Sequence, residues 1–295
     1  MVKPFRVEPE AAGYLSPALD LLREACGEAG IEFFVVGAAA RDLLLEHVYG
    51  VHPFRSTGDV DIAVAVDGWP EYDELIERLV VDYEFSRTQV GHRVKRPGLV
   101  VDVVPFGEIA SDDREVEWPT TEWTMSVLGY PEAFESAVGI QIGDAAPIRV
   151  ASLPGIVVLK MVAWSEASHR RRQDPIDICA IMMSYDKVAD ETLYTEHDDL
   201  LDGLNDMRVA YARILGRDVA ALLVEPALRS LVTGLLQSNT EDDYESLFVQ
   251  AMGRECHPDF AYRLRCLRAL REGVEERLAA TGSAPSGLPP PPDVS

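Results

Sequence analysis

Apolar and polar positions change period several times along the chain. Ile31 to Val36, interrupted only by Glu32, and Leu99 to Val104, interrupted only by Asp102, are short apolar runs of strand length. Asp59 to Val66 alternates instead. Val60, Ile62 and Val64 fall on one face of a strand, and Asp59 and Asp61 fall on the other. A helical spacing appears at Leu19, Leu22, Ala25 and Cys26, with Ser16-Pro17 as N-cap and first helical residue and Gly30 as the stop. Leu75, Leu79 and Val80 repeat that spacing behind Pro70. Gly37 opens a helix running to about His47, with Arg41 one turn in. Tyr49 to Thr57, which holds Gly50 and Pro53, reads as a loop, and Phe85 to Val94 holds a strand and a turn. Pro131 to Ala137 reads as a short helix, and Val138 to Ile142 with Pro147 to Val150 as a closing hairpin. Alternating strands and helices with short connections predict a sheet domain over residues 1–150.

The pattern changes at Ser152. Leu153 to Ala167 is a strongly apolar helix, and Asp174-Pro175 starts another that ends near Tyr185. From Asp198 to Ala280 no strand pattern is found, and Glu225-Pro226 and Thr240 read as helix starts. Residues 151–281 are therefore expected to form a helical domain. Residues 282–295, with four consecutive prolines, are expected to be a disordered tail.

Three carboxylates sit in this frame where a bare charge is costly. Asp59 and Asp61 share one strand face, and Asp102 lies between Val100-Val101 and Val103-Val104. If they converge they repel one another, and a divalent cation is the natural compensation. Taken singly, Asp59 reads as a turn residue after Gly58 and Asp61 as a strand-edge charge. Gly37 lets backbone approach an anion, at a helix start with free N–H groups, or is a simple strand-to-helix turn. Arg41 either contacts phosphate or pairs with Asp42 or Glu46 at the surface. Lys160 is the one charge in Leu153–Trp164 and must snorkel out or meet an anion. Asp174-Pro175-Ile176-Asp177 reads as an N-cap, a first helical residue and an acid in the first turn.

The constellation of Gly37-Ala38-x-x-Arg41-Asp42, Asp59-x-Asp61 and Asp102 resembles the nucleotidyltransferase superfamily that includes DNA polymerase beta. Within it the chain looks most like AbiEii-type nucleotidyltransferases, several of which are toxins of toxin–antitoxin pairs. The Gly-Ala-x-x-Arg-Asp start is also similar to tRNA nucleotidyltransferases. The likeness covers roughly residues 31 to 185. It implies an α+β fold, a nucleotidyltransferase-type mixed sheet with flanking helices followed by a C-terminal helical bundle. It implies transfer of NMP from an NTP with two Mg²⁺ ions, or Mn²⁺, held by Asp59, Asp61 and Asp102. Asp59 and Asp61 would bridge both ions, and Asp102 would take the proton of the attacking hydroxyl. Gly37, Ala38, Arg41, Lys160 and Asp177 would bind the nucleotide, with Lys160 on the triphosphate and Arg171 or Arg172 paired with Asp177. Ala38 departs from the pattern, because relatives carry Ser or Gly there.

Charge narrows the partners. The 295 residues carry a net charge of −23, of which −15 falls in residues 1–150. That argues against broad, sequence-blind nucleic-acid binding. Three basic islands stand out: Arg93, Lys95 and Arg96; Arg170, Arg171 and Arg172; and Arg263, Arg265, Arg268 and Arg271. The first two are expected to flank one cleft. Each island taken alone reads first as a solvated face balancing nearby acids. Four cysteines without a CxxC pair suggest reduced thiols and no zinc. No signal peptide or spanning segment is read, so the cytoplasm is expected, without a membrane partner. P-loop and Gly-x-Ser-x-Gly patterns are absent. The resemblance to AbiEii-type proteins implies tRNA or a protein as the acceptor, with an antitoxin protein as a further partner. The competing readings are a small-molecule, aminoglycoside-type nucleotidyltransferase and a non-catalytic nucleotide-binding or interaction module.

Overall fold

The computed structural model describes residues 3–51, 58–119, 123–202, 205–241 and 246–282. Thr57 with the Pro53 part of its loop, and the expected tail from residue 283 onward, lie outside the described residues.

Strands β1 (Phe5–Val7), β2 (Glu32–Val36), β3 (Asp59–Ala65), β4 (Ser86–Arg87), β5 (Arg93–Arg96) and β6 (Leu99–Phe106) come first. A two-stranded hairpin, β7 (Glu115–Glu117) with β8 (Thr124–Ser126), precedes β9 (Val138–Ile142) and β10 (Ile148–Val150). The main sheet has the order β1-β9-β10-β2-β3-β6-β5-β4. It is mixed: β3 runs parallel to β6, while β2 against β3 and β5 against β6 are antiparallel. The fold is α+β, a mixed sheet with flanking helices followed by helices alone among the described residues beyond β10.

The centre of the sheet forms for the reason the pattern gives. Phe34, Val35, Val60, Ile62, Val64, Val101 and Val103 are fully buried, each worth about 1.5–3 kcal/mol of transfer free energy if left in water. Leu75, Ile76 and Leu79 of the Trp69–Val81 helix are buried in the same core, while Phe34, on the other face of the sheet, packs against Phe106 and Phe134. Helix Leu15–Ala29 stops at Gly30, whose φ of +71° is left-handed. Helix Leu153–Ala167 is capped by Ser152 Oγ, which accepts from Gly155 N at 3.2 Å. No helix among the described residues is long and apolar enough to cross a membrane.

Several local expectations are corrected. Ser16 is inside its helix, which begins at Leu15. The helix from Gly37 is α-helical only to Asp42 and continues as a π-helix over Leu43–Val48. Thr240 ends a helix rather than starting one, and its hydroxyl donates to Leu236 O at 2.7 Å. The next helix, Leu247–Ala251, is capped by Ser246. The cysteines are not all thiols: Cys179 and Cys256, 77 residues apart, form a disulfide, while Cys26 and Cys266 are free and buried. Spacing gave no sign of that pair because the chain fold alone brings two distant helices together.

Candidate active site

The β3–β6 register sets the site. Asp61 lies directly beside Asp102, and Arg93 on β5 is the cross-strand partner of Asp102. Register neighbours project from the same face, so Asp61, Asp102 and Arg93 form a row across three strands, with Asp59 two residues along β3. All four line one cleft of about 410 Å³. Gly37 borders it too. Its φ is +65°, and a Cβ there would lie 2.3 Å from Asp61 Oδ2. Only glycine permits this approach of the β2–helix turn to the carboxylate.

The carboxylates are unevenly compensated. Arg93 grips Asp102 with two bonds, Nε to Oδ1 at 2.6 Å and Nη2 to Oδ2 at 2.5 Å, and the same Nη2 reaches Asp59 Oδ2 at 3.5 Å. Asp61 is pushed up to about 7, chiefly by burial and then by the charges of Asp102 and Asp59, against the lowering influence of Lys160 and Arg171. Among the described residues no three His, Cys, Asp or Glu side chains are gathered closely enough to hold a metal ion. Arg93 occupies the space between Asp59 and Asp102. The donor set is nevertheless three hard carboxylates carrying excess negative charge, which suits Mg²⁺ or Mn²⁺.

Against the cleft, and reaching its wall through Lys160 and Asp174, lies a second, buried group of charges. Arg41 is 2 % exposed, Asp177 0 % and Lys160 8 %. One Asp177 oxygen accepts from Arg41 Nη1, and the other pairs with Lys160 Nζ at 2.7 Å. Asp42 accepts from Arg41 Nε at 2.8 Å, and Asp174 Oδ1 accepts from Lys160 Nζ at 3.0 Å. Helices Gly37–Asp42, Leu153–Ala167 and Gln173–Met183 are thereby tied together. Removing one member of such a buried set costs about 3–5 kcal/mol, because its partners stay buried and uncompensated.

These observations bear on four expectations: Arg41 pairs with Asp42 and Lys160 meets an anion, as two alternatives had it, and the rest is corrected. Arg41 is neither at the surface nor in the cleft, because one helical turn after Gly37 its side chain points into the interior. Asp177 pairs with Arg41 and Lys160 instead of Arg171 or Arg172, which precede the buried turn and stay exposed. Asp174 is no N-cap but the second residue of its helix. Lys160 does not snorkel: it meets two protein carboxylates and still borders the cleft.

Of the basic islands, Arg93 from the first and Arg170 and Arg171 from the second line the same cleft. Arg96 turns away to Tyr83 O at 3.1 Å. The third island fastens helices, as where Arg268 Nε donates to Thr240 O at 2.9 Å and Arg271 Nη1 to Thr240 Oγ1 at 2.8 Å. Ala38 lines the cleft with its methyl group. The sequence reading missed Asp174 as a cleft residue. Its Oδ2 is buried there with no hydrogen-bond partner, a role hidden by the helix-start reading of Asp-Pro. It also missed His92, Trp123 and Tyr130, which line the cleft from loops and helix ends without any motif.

No family model matches the chain, and no curated protein matches its sequence. Solved structures do show likeness. A nucleotidyltransferase-like antigenic protein from Paracoccidioides brasiliensis is 16% identical, with 68% of this chain and 94% of that one covered at a TM-score of 0.36. The antibiotic-resistance factor ANT(2'')-Ia is 14% identical over 63% of this chain and 94% of that one, at 0.35. The Thermotoga maritima CCA-adding enzyme, solved with tRNA, is 12% identical over 96% of this chain and 87% of that one, at 0.25. These are likenesses of fold, at scores that assign the chain to no family.

Proposed function

We propose that the chain moves a nucleoside monophosphate from an NTP onto an acceptor hydroxyl, with residues 1–150 as the catalytic domain and 151–281 completing the nucleotide site. One observation supports this most: Asp59, Asp61 and Asp102 share a cleft with a glycine turn that no side chain could occupy. Asp59, Asp61 and Asp102 would hold Mg²⁺ or Mn²⁺, with Arg93 releasing Asp102 in exchange. The bound cation would neutralise phosphate charge and activate the hydroxyl. In the transfer, the acceptor oxygen bonds to the α-phosphorus and the bond to the α–β bridging oxygen breaks. Pyrophosphate leaves, and the hydroxyl proton passes to Asp102.

The chain's own residues have distinct parts in this reading. The backbone at Gly37 and Ala38 lies along the phosphates. Lys160 Nζ turns from Asp174 towards the triphosphate while Asp177 and Arg41 hold the helix that carries it. The acceptor is tRNA or a protein, and the AbiEii resemblance extends the reading to a toxin restrained by an antitoxin protein.

The test is incubation with each α-labelled NTP and Mg²⁺, supplied with total RNA, an aminoglycoside panel or cell extract. Label on RNA or protein, lost with Asp102→Asn, is expected. Label on an aminoglycoside alone would favour the small-molecule reading. No label on any acceptor would leave a nucleotide-binding module.

A further inference from the structure

The transfer chemistry leaves one wall of the cleft unexplained. Trp123 is 44 % exposed and lines the cleft, with its ring stacked on His92 at 5.3 Å and 27°. An aromatic column supports it from behind. Trp118, 4 % exposed, lies 5.2 Å from Trp123 and 5.4 Å from Trp69. Trp69 lies 5.5 Å from Tyr72, whose hydroxyl donates to Val103 O at 2.9 Å. The loop makes room for this column: a Cβ at Gly91 would lie 2.5 Å from Trp118 Nε1. His92 is held as well, its carbonyl accepting from Val103 N at 2.8 Å. The shelf is thus fixed to β6 on both sides of its indoles, one residue from Asp102.

Its position across the sheet separates it from the phosphate end. In the order β2-β3-β6-β5, Gly37 follows β2 and His92 precedes β5, with the carboxylates between them. Three strand spacings of about 4.8 Å each separate the two ends. Lys160 belongs with Gly37, since both it and Arg41 pair with Asp177. Phosphates at Gly37 and Lys160 place the attacking group, and whatever stacks on Trp123, beyond Asp102.

The charges beside the shelf select the occupant. Arg170 and Arg171 are exposed, line the cleft and have no ion-pair partner among the described residues. They disfavour a cationic acceptor and suit a phosphodiester. With a net charge of −23 repelling polyanions elsewhere, such a patch confines contact to one short stretch. An exposed indole beside arginines is the surface on which unpaired bases stack.

We propose that Trp123, backed by His92, stacks a nucleobase at the acceptor end of a single-stranded RNA, whose phosphates meet Arg170 and Arg171. The proposal rests on the transfer reading above and names the acceptor class. Its test is anisotropy of a labelled six-nucleotide RNA in Mg²⁺ without NTP, alongside calorimetry with a non-hydrolysable NTP. Trp123→Ala should weaken RNA binding about tenfold or more, the size of one lost base stack, and leave NTP affinity unchanged. Trp123→Phe should restore most of the loss. Arg170→Ser with Arg171→Ser should weaken RNA binding and flatten its salt dependence. Equal RNA binding by Trp123→Ala and the parent overturns the proposal, as does a loss confined to NTP. If Trp123-dependent RNA binding is found but no transfer occurs with any acceptor, the shelf stands and the catalytic reading falls. Undiminished transfer to RNA by Trp123→Ala sinks the shelf alone.

Discussion

Two charge clusters lie back to back in this protein and are built on opposite terms. The inner one, Arg41, Asp42, Lys160, Asp174 and Asp177, is buried, and nearly every charge meets an opposite one. The outer one sets three carboxylates against a single firmly bound arginine and leaves Asp61 pushed up to about 7. Matched buried charges fix geometry. Mismatched charges beside a cleft leave carboxylates that raise one another's pKa. Asp177 and Asp61 are both aspartates under apolar elements, yet the first ties Arg41 and Lys160 together and the second faces Asp102 and Asp59, which push its carboxyl up.

The largest effect that separates the clusters concerns reaction. Asp102→Asn should reduce transfer about a thousandfold or more, the scale of losing one charge-stabilising group, with the melting temperature kept. Initial rates with α-labelled NTP measure this. A loss below about tenfold would move the reaction centre out of this cleft.

Stability should answer in the opposite sense. Asp177→Ala should cost about 3–5 kcal/mol in urea unfolding, since Arg41 and Lys160 would remain buried without it. Asp61→Asn should be neutral or stabilising by up to about 1 kcal/mol, because it removes a like charge facing Asp102. Equal destabilisation by both would erase the distinction between the clusters. Lys160→Ala belongs with the inner cluster: it should weaken NTP binding and lower stability together, rather than leave the fold untouched.

A smaller effect is expected at the boundary. Gly37→Ala forces a left-handed backbone on alanine, about 1–2 kcal/mol, and drives a methyl into Asp61. Activity should fall further than stability. A variant with parental kinetics would show that the turn is merely a connection.

The smallest effect tests the exchange of arginine for metal. Arg93 is more than a third exposed, so Arg93→Ala should cost less than about 1 kcal/mol. Manganese affinity, read by titration calorimetry, should rise severalfold because Asp102 is no longer occupied. Unchanged or weaker manganese binding would remove Arg93 from any metal cycle.

Much of the sheet was legible because its central strands are local apolar runs. The β2, β3 and β6 segments, the glycine at the helix start, and the helix from Ser152 follow from period and capping chemistry. Failures occurred where a side chain had two local explanations. Asp174 beside Pro175 satisfies every rule for a helix start, and Thr240 for another, but their real partners are Lys160 and the preceding turn. Arg41 and Asp177 are 136 residues apart, so no spacing rule could pair them. Trp118, Trp123 and His92 carry no motif, and each alone is an ordinary aromatic or histidine.

The sequence by itself determined that the β2, β3 and β6 segments become strands and which face of β3 carries Asp59 and Asp61, because a strand's period of two depends only on nearest neighbours, whereas the short strands β1, β7 and β8 carry no such pattern. It also determined that three carboxylates and one lysine sit where charge is expensive. The tertiary structure alone decided that Asp61 stands beside Asp102, that Lys160 is held by Asp174 and Asp177, and that Cys179 joins Cys256. Those outcomes depend on strand register and helix packing, which join residues far apart in the chain. A local pattern encodes the cost of a buried charge, but not the partner that meets it.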